Sequence, residues 1–338
     1  MPDIRYIPIS RLGAPRLRDL SLLMQEEQEA WLGELGWDYS IIQQILLSFI
    51  DKKMLPGYAA FVGDAAGAGW KMAGYIYFLI SSSPGQPQAR SKGNIGALYT
   101  TGTIPAKDAQ EVADGLLDLA VASFRDSSAV RRVEAQILPF RRQSFAGVFA
   151  RNGFRRYPRL YMTLRLGDGA GGGRAVERRG TPSATIVPFD TARLKGAAKM
   201  TVESYRGELD ADICEDYLTA EACENYLRSL VGNPGCGVFL PDASFMALDE
   251  GGGPCGYAIC SRIAEGSALL PQIAVRPDCK GTGVGDALMG RCLGKLRAWG
   301  FGALSLTVSD KNSRACGWYR RLGFLPRKEF GAFVWNRP

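Results

Sequence analysis

Three alternating glycines, Gly281, Gly283 and Gly285, follow Lys280, and Thr282, Val284 and Asp286 complete the stretch. Without Cβ atoms, glycines let consecutive backbone N–H groups converge on one point. A helix that starts just beyond them adds unpaired donors and the positive end of its dipole. Such a loop suits a phosphate or pyrophosphate. A dinucleotide fingerprint needs its third glycine where Asp286 stands, and a P-loop needs Gly-Lys-Ser/Thr after four spacer residues; neither is present. The chain contains no histidine, which removes Ser-His-Asp and Cys-His mechanisms and every His-ligated metal site.

The elements that must position this loop are legible on both sides of it. An apolar run from Leu269 reads as a strand ending at Val275, and from Val284 the apolar residues Val284, Leu288, Cys292 and Leu296 fall at helical spacing. Further on, Ala303–Ser309 reads as a strand and Ser313–Leu322 as a helix that stops at Gly323.

Lys280-x-x-Gly283-x-Gly285 resembles the Q/R-x-x-G-x-G/A loop of the GCN5-related N-acetyltransferase (GNAT) superfamily, with Lys280 where Arg or Gln is usual. Asn312, Ala315, Tyr319, Gly323 and Phe324 resemble its second signature, in the right order. The resemblance implies acetyl-CoA as acyl donor, with Lys280, Gly281, Thr282, Gly283, Val284, Gly285 and Asp286 around the pyrophosphate. It also implies that Ile273, Ala274 and Val275 line the pantetheine arm, that a backbone N–H near Ile273 or Ala274 serves as oxyanion donor, and that Asn312 bonds the pantetheine. Asn312 also has the place of an ordinary helix cap, and the two roles can coexist. Tyr319 is carried over as the general acid toward the CoA thiolate; a phenol titrating near pH ~10 holds its proton at neutral pH. A helix tyrosine packed under the last strand is the other reading of Tyr319.

The chain of 338 residues is 46% apolar and 22% charged, the composition of a soluble globular protein with room for two cores. No apolar run reaches the length of a membrane span, and the stretch from Met1 to Tyr6 lacks the layout of a signal peptide, so a cytoplasmic location is expected. The net charge of +7 comes from scattered basic residues, apart from the pairs at 131–132, 141–142 and 155–156. These read as solvated faces; modest positive charge also draws an anionic cofactor, and no nucleic-acid partner is expected. The eight cysteines all follow residue 213 without a C-x-x-C pair, so they read as reduced, mostly buried thiols, and no metal is expected.

Read in order, the first half is β-αα-βββ-α-β-α-β: a strand over 3–9, helices over 17–31 and 39–52, strands over 58–63, 71–80 and 93–101, a helix over 106–124, a strand over 132–137, a helix over 143–152 and a closing strand over 157–166. A turn at 64–69 and a polar loop at 81–92 join its strands. The glycine-rich, charged stretch 167–183 reads as a linker. After it the same order begins again: a strand over 185–189, helices over 191–205 and 219–231, strands over 245–249, 256–263 and 268–275, the glycine loop and its helix, and a last strand to Trp335. Gly147, Arg151, Gly153 and Phe154 recur at one constant offset as Gly317, Arg321, Gly323 and Phe324, which marks an internal repeat. The expected fold class is α/β (α+β mixed sheet): two tandem GNAT-like domains, 1–166 degenerate and 184–338 catalytic, each a mostly antiparallel mixed sheet flanked by helices. The first copy carries Pro105 and no paired glycines where the loop belongs, and Phe149 where the second has Tyr319.

With no histidine, a carboxylate must take the amine's proton, directly or through water, unless the amine arrives neutral. Glu208, Asp210 and Asp212 lie on the segment that lines the acceptor side in the family; a solvated loop is the other reading of each. Gln272, beside the thioester, has the place to orient a water. The function this implies is acetyl-CoA-dependent N-acetyl transfer to a primary amine, on a small molecule or a peptide, by direct attack on the thioester, in a monomer or homodimer. The alternative is a non-catalytic CoA-binding or scaffolding protein of the same tandem form.

Overall fold

The computed structural model describes residues 3–63, 69–82, 91–140, 144–167 and 184–337. They fall into two compact units, Met1–Pro158 with Phe330–Pro338, and Arg159–Glu329. The linker expected at 167–183 lies, from 168 on, outside the described residues. So do 64–68 of the expected turn, 83–90 of the polar loop, and 141–143, which hold one basic pair and the expected start of a helix.

The first half of the chain forms β1 (Ile4–Pro8), α1 (Ala14–Leu35), α2 (Ser40–Asp51), β2 (Gly57–Gly63), β3 (Trp70–Ser82), β4 (Ser91–Thr100), α3 (Ala106–Asp126), β5 (Val130–Ile137), α4 (Ala146–Arg151) and β6 (Arg155–Arg165). In unit 1 the strands run in the order β1-β2-β3-β4-β5, antiparallel except for the parallel pair β4–β5. Val112, Leu116, Ala120 and Phe124 of α3, each one turn from the next, are buried against the sheet. The larger of these side chains, Val112, Leu116 and Phe124, contribute about 1.5–3 kcal/mol each.

The second half forms β7 (Thr185–Pro188), α5 (Leu194–Tyr205), α6 (Leu209–Ile213), α7 (Ala220–Gly232), β8 (Val238–Phe239), β9 (Phe245–Leu248), β10 (Pro254–Ala264), β11 (Ser267–Val275), α8 (Val284–Ala298), β12 (Ala303–Ser309), α9 (Ser313–Arg321) and β13 (Leu325–Asn336). In unit 2 the order is β12-β11-β10-β9-β7, with β8 beside β10; only β11–β12 is parallel. These are the mixed, mostly antiparallel sheets expected. The very short α6 and β8 are additions, too brief to leave a periodicity in the sequence.

The repeat is visible in packing as well as order. A Cβ placed on Gly256 of β10 would sit 3.0 Å from Val284 and 3.1 Å from Leu288 of α8. One placed on Gly74 of β3 would sit 2.8 Å from Val112 of α3. In each unit the helix that joins the two parallel strands rests on a neighbouring strand at a bare backbone position.

The closing strands are exchanged. β6 pairs antiparallel with β12, from Arg165 opposite Ala303 to Arg159 opposite Ser309. β13 pairs antiparallel with β5, from Gly331 opposite Ile137 to Asn336 opposite Arg132. The strand at the end of the first half therefore completes the sheet of unit 2, and the strand at the end of the second half completes that of unit 1. Alternation of apolar residues fixes which face a strand buries and leaves its neighbour open.

Candidate active site

The glycine loop opens with a single 3-10 turn, Pro277–Cys279, and leads straight into α8. Gly281 and Gly283 have φ of 90° and 91°, the left-handed region that disfavours any side chain. Gly283 is the N-cap, and no side chain caps the helix. The first-turn N–H groups of α8 have no intrahelical carbonyl to bond, so they and the helix dipole are directed at whatever lies before the loop. Val284, Leu288, Cys292 and Leu296 are all buried and hold α8 on the sheet.

The strand that leads into the loop parts from its parallel neighbour. β11 pairs with β12 only from Ser267 to Leu269, yet stays paired with β10 as far as Val275, while β12 stays paired with β6 as far as Ser309. Beyond Leu269 the two parallel strands diverge. The Arg276 N–H donates to the Cys255 carbonyl on β10 at 2.9 Å. Because N–H groups alternate sides along a strand, that of Ala274 also faces β10, and those of Ile273 and Val275 face the gap. Ser204 Oγ on α5 donates to the Val275 carbonyl at 3.0 Å and fixes that end of the gap.

Lys280 reaches back from the loop. Its Nζ donates to the Ser204 carbonyl at 3.1 Å and lies 3.3 Å from Glu208 Oε1. Glu208 is thus a partner of the loop lysine. Thr282 Oγ1 donates to the Cys279 carbonyl at 2.8 Å and closes the turn. Asp286 Oδ1 accepts from the indole N–H of Trp318 at 2.7 Å. Asn312 caps α9, its Oδ1 accepting from Ala315 N at 3.0 Å, which leaves its amide nitrogen for other use. At the base of the loop Arg276 Nη1 lies 2.6 Å from Asp249 and its Nε 2.7 Å from Asp278.

Tyr319 lies on α9 and is 7% exposed. Burial, then the charges of Asp210 and Cys316, push its phenol well above the ordinary tyrosine range, with Arg159 pulling the other way. Asp210, on α6, is brought to it. Its Oδ1 accepts from Arg159 Nη1 at 3.0 Å and from Ser309 Oγ at 2.8 Å. Asp212, on the same short helix, is exposed. Gln272 is buried in a tyrosine cluster: its Oε1 accepts from Tyr205 at 3.3 Å, and its Nε2 donates to Tyr217 at 3.1 Å. Tyr205 and Tyr217 stack at 4.4 Å between centroids. Burial, and after it the Asp210 charge, raises the Tyr205 phenol as well. The Asp210 charge therefore acts on both Tyr319 and Tyr205. Arg159, Ser309 and the tyrosine cluster were not among the residues the sequence singled out. Arg159 gives no local signal, since its place depends on the pairing of β6 with β12.

Unit 1 keeps the frame without the groups. The Thr101 N–H donates to the Ala73 carbonyl at 2.9 Å, as Arg276 does to Cys255, and β4 pairs with β5 only as far as Ile95. The segment after β4 differs: Glu26 of α1 accepts from Thr101 Oγ1 at 2.8 Å, Gly102 N at 3.0 Å and Tyr99 OH at 3.1 Å. A carboxylate of the chain itself takes the donors that would meet an anion there. Phe149, at the place of Tyr319, is fully buried and stacks on Phe333 at 3.9 Å.

Among the described residues no helix is long and apolar enough to cross a membrane, and no group of three or more His, Cys, Asp or Glu side chains is arranged to hold a metal ion.

Comparison with known proteins bears on the same region. Residues 211–324 match the acetyltransferase (GNAT) family. The chain is similar to the peptidyl-lysine N-acetyltransferase YjaB of Escherichia coli K12, 29% identical over 114 residues, which span 33% of this chain and 67% of YjaB. In fold the chain is similar to a tandem GNAT protein of the clavulanic acid biosynthesis pathway, with a TM-score of 0.61, 14% identity and 99% of both chains covered. It is also similar to a GCN5-related N-acetyltransferase of Sphaerobacter thermophilus, with a TM-score of 0.61, 15% identity, and 98% of this chain and 96% of that one covered.

Proposed function

We propose that the chain is a tandem protein of the GNAT family and that unit 2 transfers an acetyl group from acetyl-CoA to a primary amine, with Tyr319 as proton donor and Asp210 as the carboxylate facing the acceptor. The observation that carries this reading is the left-handed glycine loop running into the uncapped start of α8, beside the helix that bears Tyr319.

The residues present fit the cofactor. Gly281 and Gly283 leave the loop backbone bare, and nothing lies within 4 Å of where a Cβ on Gly281 would be. Their neighbours' N–H groups, the start of α8 and Lys280 would hold the pyrophosphate. The gap beside β11 would take the pantetheine arm against the N–H groups of Ile273 and Val275, with Asn312 at its other side. Bound there, acetyl-CoA supplies the activated acyl group as a thioester.

The chain's own groups supply placement and protons. The Ile273 N–H is a fixed donor aimed into the gap, the kind of group that stabilises charge developing on an oxygen; the Ala274 N–H is committed to β10. Burial keeps the Tyr319 proton in place until a stronger base approaches, so the phenol is in the donor state at neutral pH. Asp210 leaves one oxygen, Oδ2, outside its bonds to Arg159 and Ser309, and that oxygen can receive a proton from nitrogen. Unit 1 has Phe149 in place of the donor and Glu26 on its loop, which supports a non-catalytic reading of that unit.

The test is thiol release from acetyl-CoA with a panel of small amines, aminoglycosides, amino-sugar conjugates and lysine-bearing peptides, together with calorimetric titration of CoA. Amine-dependent thiol release and one CoA site per chain are expected. Binding without any release would favour a scaffold, and two equal sites would overturn the assignment to unit 2.

A further inference from the structure

The cation beside Asp210 belongs to a strand supplied by the first half of the chain. Arg159 stands opposite Ser309 at the end of the β6–β12 pair, and it is more than nine-tenths buried. Its Nη1 donates to Asp210 Oδ1 at 3.0 Å and to Ser309 Oγ at 3.4 Å, and its Nη2 donates to Thr307 Oγ1 at 3.2 Å. Its Nε is buried without a partner, one of two such side-chain atoms among the described residues.

As a device for stability this is poor. A buried ion pair gains little over an apolar side chain of the same volume, and an unpaired buried N–H is a further cost. What the arginine provides is direction. With Ser309 it places two donors on one oxygen of Asp210, which fixes the carboxylate and leaves Oδ2. The matching end of the matching strand pair in unit 1 has Gly331 opposite Ile137, and Phe149 in place of Tyr319. The counterparts of Arg159, Ser309 and Tyr319 are missing from these positions together, while the fold of that unit is kept.

We propose that Arg159 is a positioning residue for acetyl transfer: it holds Asp210 so that Oδ2 takes the proton of the acceptor amine beside Tyr319. This rests on the acetyl-transfer reading of the site. In the step, the carbon–sulfur bond breaks as the carbon–nitrogen bond forms, nitrogen gives one proton to Asp210, and sulfur receives one from Tyr319. Solvent restores the Tyr319 proton and takes that of Asp210. The other titratable groups facing the pair are Tyr205 of α5 and Cys316 of α9, and burial keeps both protonated.

The experiment compares Arg159→Met, Arg159→Lys, Asp210→Asn and the double variant Arg159→Met/Asp210→Asn. The probes are acetyl-CoA with a lysine-bearing peptide, and acetyl-CoA alone at stoichiometric enzyme, where water is the acceptor. Arg159→Met is expected to lower kcat about 10²-fold, the scale of a misplaced catalytic group, with CoA affinity by calorimetry unchanged. Arg159→Lys, which keeps the charge, should recover part of the loss. The double variant should be no slower than Asp210→Asn alone, because the two residues act as one. A crystal structure of Arg159→Met should show Asp210 turned from Ser309. Additive losses, full turnover by Arg159→Met, or an unmoved Asp210 would overturn the proposal. A wild-type chain that releases no thiol with either probe would instead remove the transfer reading itself.

Discussion

The indole N–H of Trp318 donates to Asp286 Oδ1 at 2.7 Å, which fastens the helix carrying Tyr319 to the first turn of the helix behind the glycine loop. The acid also sits well for the dipole of α8. Asn at this position can still accept the indole bond while removing a negative charge near the loop. Asp286→Asn is therefore expected to bind CoA a few-fold more tightly, on the scale of about 0.3–1 kcal/mol for one charge at a helix start. Trp318→Phe, which loses the bond, should lower turnover more than CoA affinity. Calorimetry and steady-state kinetics on both variants check this.

Lys280 is shared between the Ser204 carbonyl and Glu208. Neutralising the acid should release the ammonium for an incoming phosphate, so Glu208→Gln is expected to strengthen CoA binding. The gain should shrink as salt is raised, since both groups are partly exposed. Titrations at low and high ionic strength decide it; a fall in kcat with no change in CoA affinity would put Glu208 on the acceptor side instead.

Tyr319→Phe removes the donor and keeps the ring. The expected loss is about 10²–10⁴-fold in turnover, with CoA affinity unchanged. The pH profile adds a sign. The folded phenol is held above its ordinary range, so its proton is lost only at higher pH than that of a free tyrosine. No alkaline decline in kcat from this group should appear up to about pH 10.

A chain begun at residue 184 lacks β6, which pairs with β12 along its whole length and carries Arg159. Such a fragment is expected to lose cooperative melting and acetyl transfer, and one begun at residue 155 should melt at a higher temperature. Circular dichroism during heating compares them. An active, cooperatively folded 184–338 fragment would show that the edge of β12 does not need its partner.

Glu27 of α1 is buried, accepting bonds from Tyr75 and from Trp31 Nε1, and burial raises its carboxyl above the ordinary range although both bonds pull it down. An acid held high in the folded state binds its proton more tightly there than in the unfolded chain. Its stabilising contribution is therefore complete below the unfolded value and is lost as pH rises through the folded one. The melting temperature should fall in the wild type as pH rises above the range of an ordinary glutamate, and change less in Glu27→Gln, as scanning calorimetry can show.

Most elements and both signature motifs were legible because their determinants are local. Val284, Leu288, Cys292 and Leu296 announce α8, and glycines at 281 and 283 announce a backbone that turns left-handed. The pairing of Arg159 with Asp210 was not legible, because it needs β6 to lie beside β12, and a strand's own residues say nothing of its neighbour. Glu208, Asp210 and Asp212 looked alike as three acids of one segment. Only the folding of α6 turns Asp210 toward Ser309 and leaves Glu208 to Lys280. Gln272 was placed on the right strand, but its bonds to Tyr205 and Tyr217 depend on side chains from two other elements.

The traded strands also bear on how the chain is made. A sheet built from one continuous stretch can form as soon as that stretch has left the ribosome. Here the partner of β5 is synthesised more than half the chain later, so an open edge of unit 1 must wait through the whole of that interval. Closing so distant a contact is slow, and an unpaired edge is sticky while it waits. Unit 2 inherits its outer strand already translated and is the better placed of the two to condense first. Unit 2 would then be assembled before the unit that precedes it, an inversion of the usual order that pulse-labelled hydrogen exchange on refolding chains can reveal.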